Sequence, residues 1–212
     1  QKRKIVSFNF YQSQVINIKP DGMRYRIITE EKEYLAKIVI NAAGIYADEI
    51  ANMALSKKKY TLYPWRGEYY EIVTERKNLV RRLIYPIVHP DAPSKGIHFS
   101  PRPNGKMFLG PNAVRVYSKT DYESNKTPID IFLEAGEKFL PELKAADLTW
   151  GYSGIRAKLS DTPREDDFII NVDSINPTLI NLIGIESPGL SASLAIARYV
   201  CTSLPVYAVL NR

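Results

Sequence analysis

Apolar positions along this chain of 212 residues recur at two different intervals. Residues 4–41 read as short alternating runs, IVSFNFY, QVINIKP, MRYRIIT and YLAKIVI, of the kind that half-bury in a sheet. Asp21-Gly22 between two of these runs predicts a tight hairpin, and residues 30–32 predict a further turn. Residues 36–41 are almost all apolar, which predicts a strand buried on both faces. The interval lengthens after Asn41-Ala42-Ala43-Gly44. There Ile50, Ala51 and Ala54 form a helical stripe, and Asp48 and Glu49 sit in the first turns, where they complement the helix dipole.

Further runs, LYPWRGEYYEIV, LIYPIV, GIHFSPRP and KMFLGPN, predict a mostly antiparallel sheet, with Asn104-Gly105 turning the last pair. Its aromatic residues, Phe99 and Phe108 among them, are expected in the core. Residues 128–140 predict a helix carrying Ile129, Phe132, Leu133 and Leu140 on one side. Two more strands, DFIINVD and TLINLIGI, turn at Asn176-Pro177. The last helix is expected to take Ser187 as N-cap and Pro188 as its first residue, and to bury Leu190, Leu194, Ala197 and Cys201.

Composition narrows the classes. A 45% hydrophobic and 25% charged content suits a soluble domain with a sizeable core. The single cysteine, Cys201, excludes an internal disulfide, and its apolar surroundings place it in the interior. Two histidines, His89 and His98, leave no His-rich metal site. No stretch approaches the ~20 apolar residues of a membrane span, and no basic stripe interleaved with aromatics points to nucleic acid. The formal charge of +6 favours anionic partners. Basic residues cluster at 57–59 and 76–82; solvated surface is the default there, and an anionic membrane surface the alternative. No secretory leader is seen, so the expected location is cytoplasmic, with peripheral membrane contact as the alternative. The opening on strand-like sequence without Met raises the expectation of a piece of a longer or processed protein.

One stretch carries candidate chemistry. In WGYSGIRAKLSDTPREDD, Arg156 follows Gly151 and Gly154. A guanidinium donates two parallel hydrogen bonds and stays charged, so it suits a carboxylate. Two readings stay open: an anchor for an anionic small molecule, or a strand-end arginine paired with Asp166 or Asp167. The small residues at 42–44 and at 189–193 leave a similar choice between close approach of a ligand and tight packing.

Taken in order, NAAGIYADEIA, YPWRGEYYEI, the run from LIYPI through GIHF to GPNAV, SGIRA with DDFII, and LIGIESPGLSASLAIA resemble the C-terminal half of an FAD-dependent oxidoreductase. The superfamily is that of D-amino acid oxidase, glycine oxidase and glycerol-3-phosphate dehydrogenase, and the likeness is greatest to L-2-hydroxyglutarate dehydrogenase/oxidase. The resemblance covers nearly the whole chain. It implies an α/β (α+β) fold: a mostly antiparallel substrate-domain sheet with flanking helices, plus part of the FAD-domain sheet. Residues 1–56 and 151–212 would belong to the FAD-binding domain and residues 57–150 to the substrate-binding domain.

The resemblance further implies FAD as cofactor and a small 2-hydroxy acid as substrate, oxidised by hydride transfer. Glycerol 3-phosphate or an amino acid is the alternative substrate, and a cofactor-free interaction domain the non-enzymatic one. Ala43 and Gly44, with Gly189, Leu190 and Ser191, would approach FAD. Arg156 would hold the substrate carboxylate, Tyr69 and Tyr85 would line the cavity, and His98 would take the hydroxyl proton. A quinone acceptor, with residues 76–82 at a membrane surface, is a further expectation. The family's G-x-G-x-x-G phosphate loop has no counterpart in this chain. The FAD-binding N-terminal half is therefore expected on another stretch of polypeptide, and this chain alone is expected to bind FAD poorly.

Overall fold

A computed structural model describes residues 7, 9–55, 58–73, 80–89, 95–162, 166–173 and 177–203. The first sheet is an antiparallel meander of β1 (Val15–Asp21), β2 (Arg24–Thr29) and β3 (Glu33–Ala36). The hairpin forms where Asp21-Gly22 predicts it, because Gly22 takes φ +58° without a Cβ penalty. The chain then enters β4 (Val39–Asn41), makes a short turn at Gly44–Tyr46 and forms α1 (Ala47–Ala54). Ala47 and Ala51 are fully buried, and Asp48 accepts the Leu62 backbone N–H at 2.9 Å while pairing with Lys119.

β5 (Tyr63–Ile72) is the axis of the largest sheet, which continues with β6 (His98–Pro101), β7 (Met107–Gly110) and β8 (Val114–Arg115). α2 (Ile129–Glu137) buries Phe132 against Tyr70 and Phe99. β9 (Leu148–Lys158) pairs antiparallel with the whole of β5, with a bulge at Gly151 opposite Tyr69 and Tyr70. β10 (Ile169–Val172) and β11 (Leu179–Ile183) then join β4 in a mixed sheet, against which α3 (Gly189–Ser203) packs. The fold is mixed α and β, with antiparallel pairing dominant.

Several expectations change. Residues 36–41 are not one strand: the run breaks after Ala36, β3 and β4 lie in different sheets, and Ile40 is 46% exposed because β4 ends its sheet among the described residues. LIYPIV contributes only a bridge from Ile84 to Phe99. Of IVSFNFY, Phe10 and Tyr11 are not in a strand, and most of the remainder lies outside the described residues, as do most of the basic segment 76–82 and the Asn176 side of its turn. α3 begins at Gly189, with the Pro188 carbonyl accepting the Ala192 N–H at 3.0 Å, so the helix opens one residue later than the cap residues predict.

The face that α3 buries is also different. Val200 (3% exposed) and Ile196 meet the sheet, whereas Leu190 (91%) and Leu194 (85%) point away, with Ala197 and Cys201 exposed on the same side. No described helix is long and apolar enough to cross a membrane.

Candidate active site

The site is built on the face of β5 that carries Trp65, Gly67 and Tyr69, since alternate residues of a strand share a face. Gly67 stands directly opposite Gly154 of β9, so two adjacent positions present backbone alone. Arg156, opposite Trp65, belongs to the same face and lays its guanidinium over Gly67, leaving the space above Gly154 open. A Cβ at Gly67 would come within 2.8 Å of Arg156 Nη2 and 3.1 Å of Cζ. Any other residue at position 67 would have to displace the cation.

Arg156 Nη2 donates to the Asn112 carbonyl at 3.0 Å, whereas Nη1 is buried with no hydrogen-bond partner among the described residues. The alternative pairing with Asp166 or Asp167 is not made: no ion pair joins them among the described residues, and Asp166 Oδ2 is itself buried without a partner. Burial pushes the guanidinium pKa below its ordinary value, with Tyr69 and Glu186 acting in the opposite direction. A buried, half-bonded cation is costly until an anion completes it.

Two cavities meet at this arginine and share Tyr69, Glu186 and Ser187. The larger, about 730 Å³, is walled by Tyr85, His98 and Lys158 together with the shared residues. The smaller, about 370 Å³, is lined by Gly44, Gly67, Gly154 and Ile185.

His98 is 8% exposed and stacks on Tyr85 with ring centroids 4.0 Å apart. Its Nδ1 lies 2.8 Å from the Gly96 carbonyl oxygen. A carbonyl only accepts, so Nδ1 carries the proton and Nε2 keeps the lone pair. Burial lowers the His98 pKa, against a smaller opposing effect of the Gly96 bond, so the neutral ring is favoured, with the Nε2 lone pair unprotonated. Tyr69 stacks on Tyr152 at 4.5 Å, and burial raises its pKa, which keeps the phenol protonated.

The structure thus brings Tyr69, Tyr85, His98 and Arg156 to one cavity and Gly44 to the adjoining one. Gly44 takes φ +58° with open space where a Cβ would stand. Ala43 is exposed beside it and lines neither cavity. Leu190 and Ser191 are exposed on the first turn of α3 and likewise line neither, while Ser187 and Pro188 just before them do line the larger cavity. Gly189 is buried against Ile185, whose Cγ2 would lie 2.4 Å from a Cβ there, so its small size serves packing. Lys158, Glu186, Gly67 and Asn112 join the site without having been singled out from the sequence. Among the described residues no cluster of three or more His, Cys, Asp or Glu could hold a metal ion.

A cation short of one acceptor thus lies at the junction of two cavities, beside a glycine pair. The chain belongs to the FAD-dependent oxidoreductase family, whose model matches residues 9–202. It is 34% identical over 191 residues to a glycerol 3-phosphate dehydrogenase of Caloramator mitchellensis, covering 90% of this chain and 38% of that protein. It is 30% identical over 205 residues to the mitochondrial L-2-hydroxyglutarate dehydrogenase of Caenorhabditis elegans, covering 79% and 47%. Among solved structures, the dithionite-reduced L-alpha-glycerophosphate oxidase of Mycoplasma pneumoniae with FAD bound superposes with a TM-score of 0.75 at 27% identity, over 88% of this chain and 48% of that one. The chain therefore spans about half the length of such relatives or less.

FAD is the cofactor of this family, and the smaller cavity suits it. Gly44 and Gly154 line it with open space where a Cβ would be, which leaves room for a flat ring.

Proposed function

We propose that this chain is the substrate-holding part of an FAD-dependent dehydrogenase or oxidase acting on a small 2-hydroxy acid of the L-2-hydroxyglutarate kind. The observation that carries the reading is the buried, unpartnered Nη1 of Arg156 on a cavity it shares with a neutral histidine. Arg156 holds the substrate carboxylate through two N–H groups on one side of its fork. His98 Nε2 receives the proton of the substrate hydroxyl. Tyr69 and Tyr85 wall the cavity, and Gly44 with Gly154 faces the cofactor. FAD, when bound, supplies the hydride acceptor. The phosphate-cradling unit is contributed by polypeptide N-terminal to this chain. The exposed face of α3 around Leu190 and Leu194 packs against that unit.

A second reading, glycerol 3-phosphate as substrate, is favoured by Lys158. This lysine is 2% exposed, lies two residues along β9 from Arg156 and lines the same cavity, where it pairs with Glu186 at 3.5 Å, so a phosphate would have a second cation there in competition with that carboxylate.

The test is anaerobic bleaching of the flavin in the FAD-loaded full-length protein by L-2-hydroxyglutarate, glycerol 3-phosphate and glycine in turn. Bleaching by the hydroxy acid alone supports the first reading, and by the phosphate ester alone the second. Arg156→Ala is expected to raise KM about 100-fold with flavin content unchanged, as loss of a desolvated charge-assisted fork implies. Lost flavin with an unchanged KM would reverse the roles assigned to the two cavities.

A further inference from the structure

We infer that Asn112 is a positioning residue that aims Arg156 at the substrate anion, and that the buried pair Arg66–Glu68 holds Asn112 in place. This rests on the proposal that Arg156 anchors the substrate.

The hydrogen-bond ladder of β5 has a gap on one edge. β9 pairs with one edge of β5 throughout. On the other edge, β7 covers residues 70–72 and β8 covers Trp65 and Arg66, which leaves residues 67–69 with no strand beside them. Asn112, in the link between β7 and β8, fills the gap with its side chain. Its Oδ1 accepts the Glu68 backbone N–H at 2.9 Å. Its Nδ2 donates to Glu68 Oε2 at 2.7 Å and to Thr127 Oγ1 at 2.8 Å. The acceptor faces a donor and the donor faces two acceptors, so the amide has one orientation. With the side chain fixed, the main-chain carbonyl of the same residue is fixed too, and it takes Arg156 Nη2 at 3.0 Å. One end of the guanidinium fork is thereby tied down, and Nη1 is left for a ligand.

Behind Asn112 stands a second layer. Glu68 (0% exposed) takes Arg66 Nε at 3.0 Å and the Thr127 N–H at 3.2 Å. Arg66 (1% exposed) reaches Asp121 Oδ1 at 2.9 Å and the Asn125 carbonyl at 3.2 Å. Both charges are buried and paired; losing Arg66 would strand Glu68, whereas Arg66 keeps Asp121 as a second carboxylate partner. Strand alternation puts Arg66 and Glu68 on the face of β5 away from Gly67 and Tyr69. Asn112 bonds both to that hidden network and to the cation on the exposed face. A two-point grip on a carboxylate needs the fork held in one plane, and a guanidinium lying over Gly67 has no side chain of that residue beneath it to supply that restraint.

The experiment is a double-mutant cycle in the FAD-loaded full-length protein, using whichever hydroxy acid or phosphate ester bleaches the wild-type flavin. Asn112→Ala is expected to raise KM about 10-fold, with kcat and flavin content retained. In an Arg156→Ala background the same change is expected to lower kcat/KM no further, because its route runs through the missing arginine. Equal losses in both backgrounds would mean that Asn112 serves the fold alone and would overturn the inference. Thr127→Val removes one acceptor of Nδ2 and gives a milder KM rise, about 3-fold; it carries the test if Asn112→Ala does not fold. A wild-type flavin that no anionic substrate bleaches would sink the reading of Arg156 itself. Bleaching with KM unchanged in both variants would sink only the role of Asn112.

Discussion

Which of its two nitrogens a histidine can use is decided by a single carbonyl. The Gly96 carbonyl accepts a hydrogen bond from Nδ1–H of His98, and burial favours the neutral ring, so the proposed base keeps Nε2 available at neutral pH. The sign of the pH effect follows. Only the neutral ring accepts a proton, and its folded pKa lies below the ordinary histidine value, so activity is retained at neutral pH and falls only as pH drops through that lowered pKa. Stability moves the same way, because the unfolded chain protonates this histidine first, at about pH 6.5, and is favoured increasingly below it. His98→Gln should lower kcat by about 100-fold or more and remove the acid limb of the kcat/KM profile, with flavin content intact. A profile that keeps its acid limb in the variant would assign the proton to another group. Arg156 was legible beforehand, since an arginine after closely spaced glycines is unusual within a strand. Gly67 was not. Its significance lies in standing across from Gly154, and which residues face one another is set by a register that a bulge at Gly151 shifts.

At the scale of elements, turns were the most legible feature. Asp21-Gly22 and Asn104-Gly105 form where they are written, because Gly22 and Gly105 both take positive φ. Helix faces were less so. α3 is apolar on two sides: Ile196 and Val200 on one, Leu190, Leu194, Ala197 and Cys201 on the other. Periodicity finds such stripes but does not say which one the sheet receives. The second stripe leads to a prediction that depends on length of chain. In the 212-residue polypeptide, Leu194→Asp should leave the denaturant midpoint nearly unmoved, within about 0.5 kcal/mol, and should reduce self-association in sedimentation. In the full-length protein the same change should cost about 2 kcal/mol or more, since a carboxylate would then be buried against the N-terminal unit. Equal, small effects in both would show that nothing covers this face.

For the molecule as a whole, β5 divides labour between its two faces. One carries Tyr70 and Ile72 into the core, with the Arg66–Glu68 pair beside them; the other carries Gly67 and Tyr69 to the cavities. The order of motifs along the sequence was enough to indicate the family, because that order mirrors the sequence of strands that reach the site. The links between elements were not legible as site, and they supply Asn112, between β7 and β8, and Glu186 and Ser187, between β11 and α3. The gap in the β5 ladder has a consequence that needs no substrate to observe. The amide hydrogen of Glu68 is guarded by the tip of one side chain, where its neighbours are guarded by strands. In deuterated water it should exchange slowly while Asn112 is docked. In Asn112→Ala it should exchange about 10-fold faster or more, with the amides of the β5–β7 ladder unaltered. A uniform acceleration across the sheet would instead report general loosening. The exchange of one hydrogen thus serves as a clock for the readiness of the site, running in the empty protein.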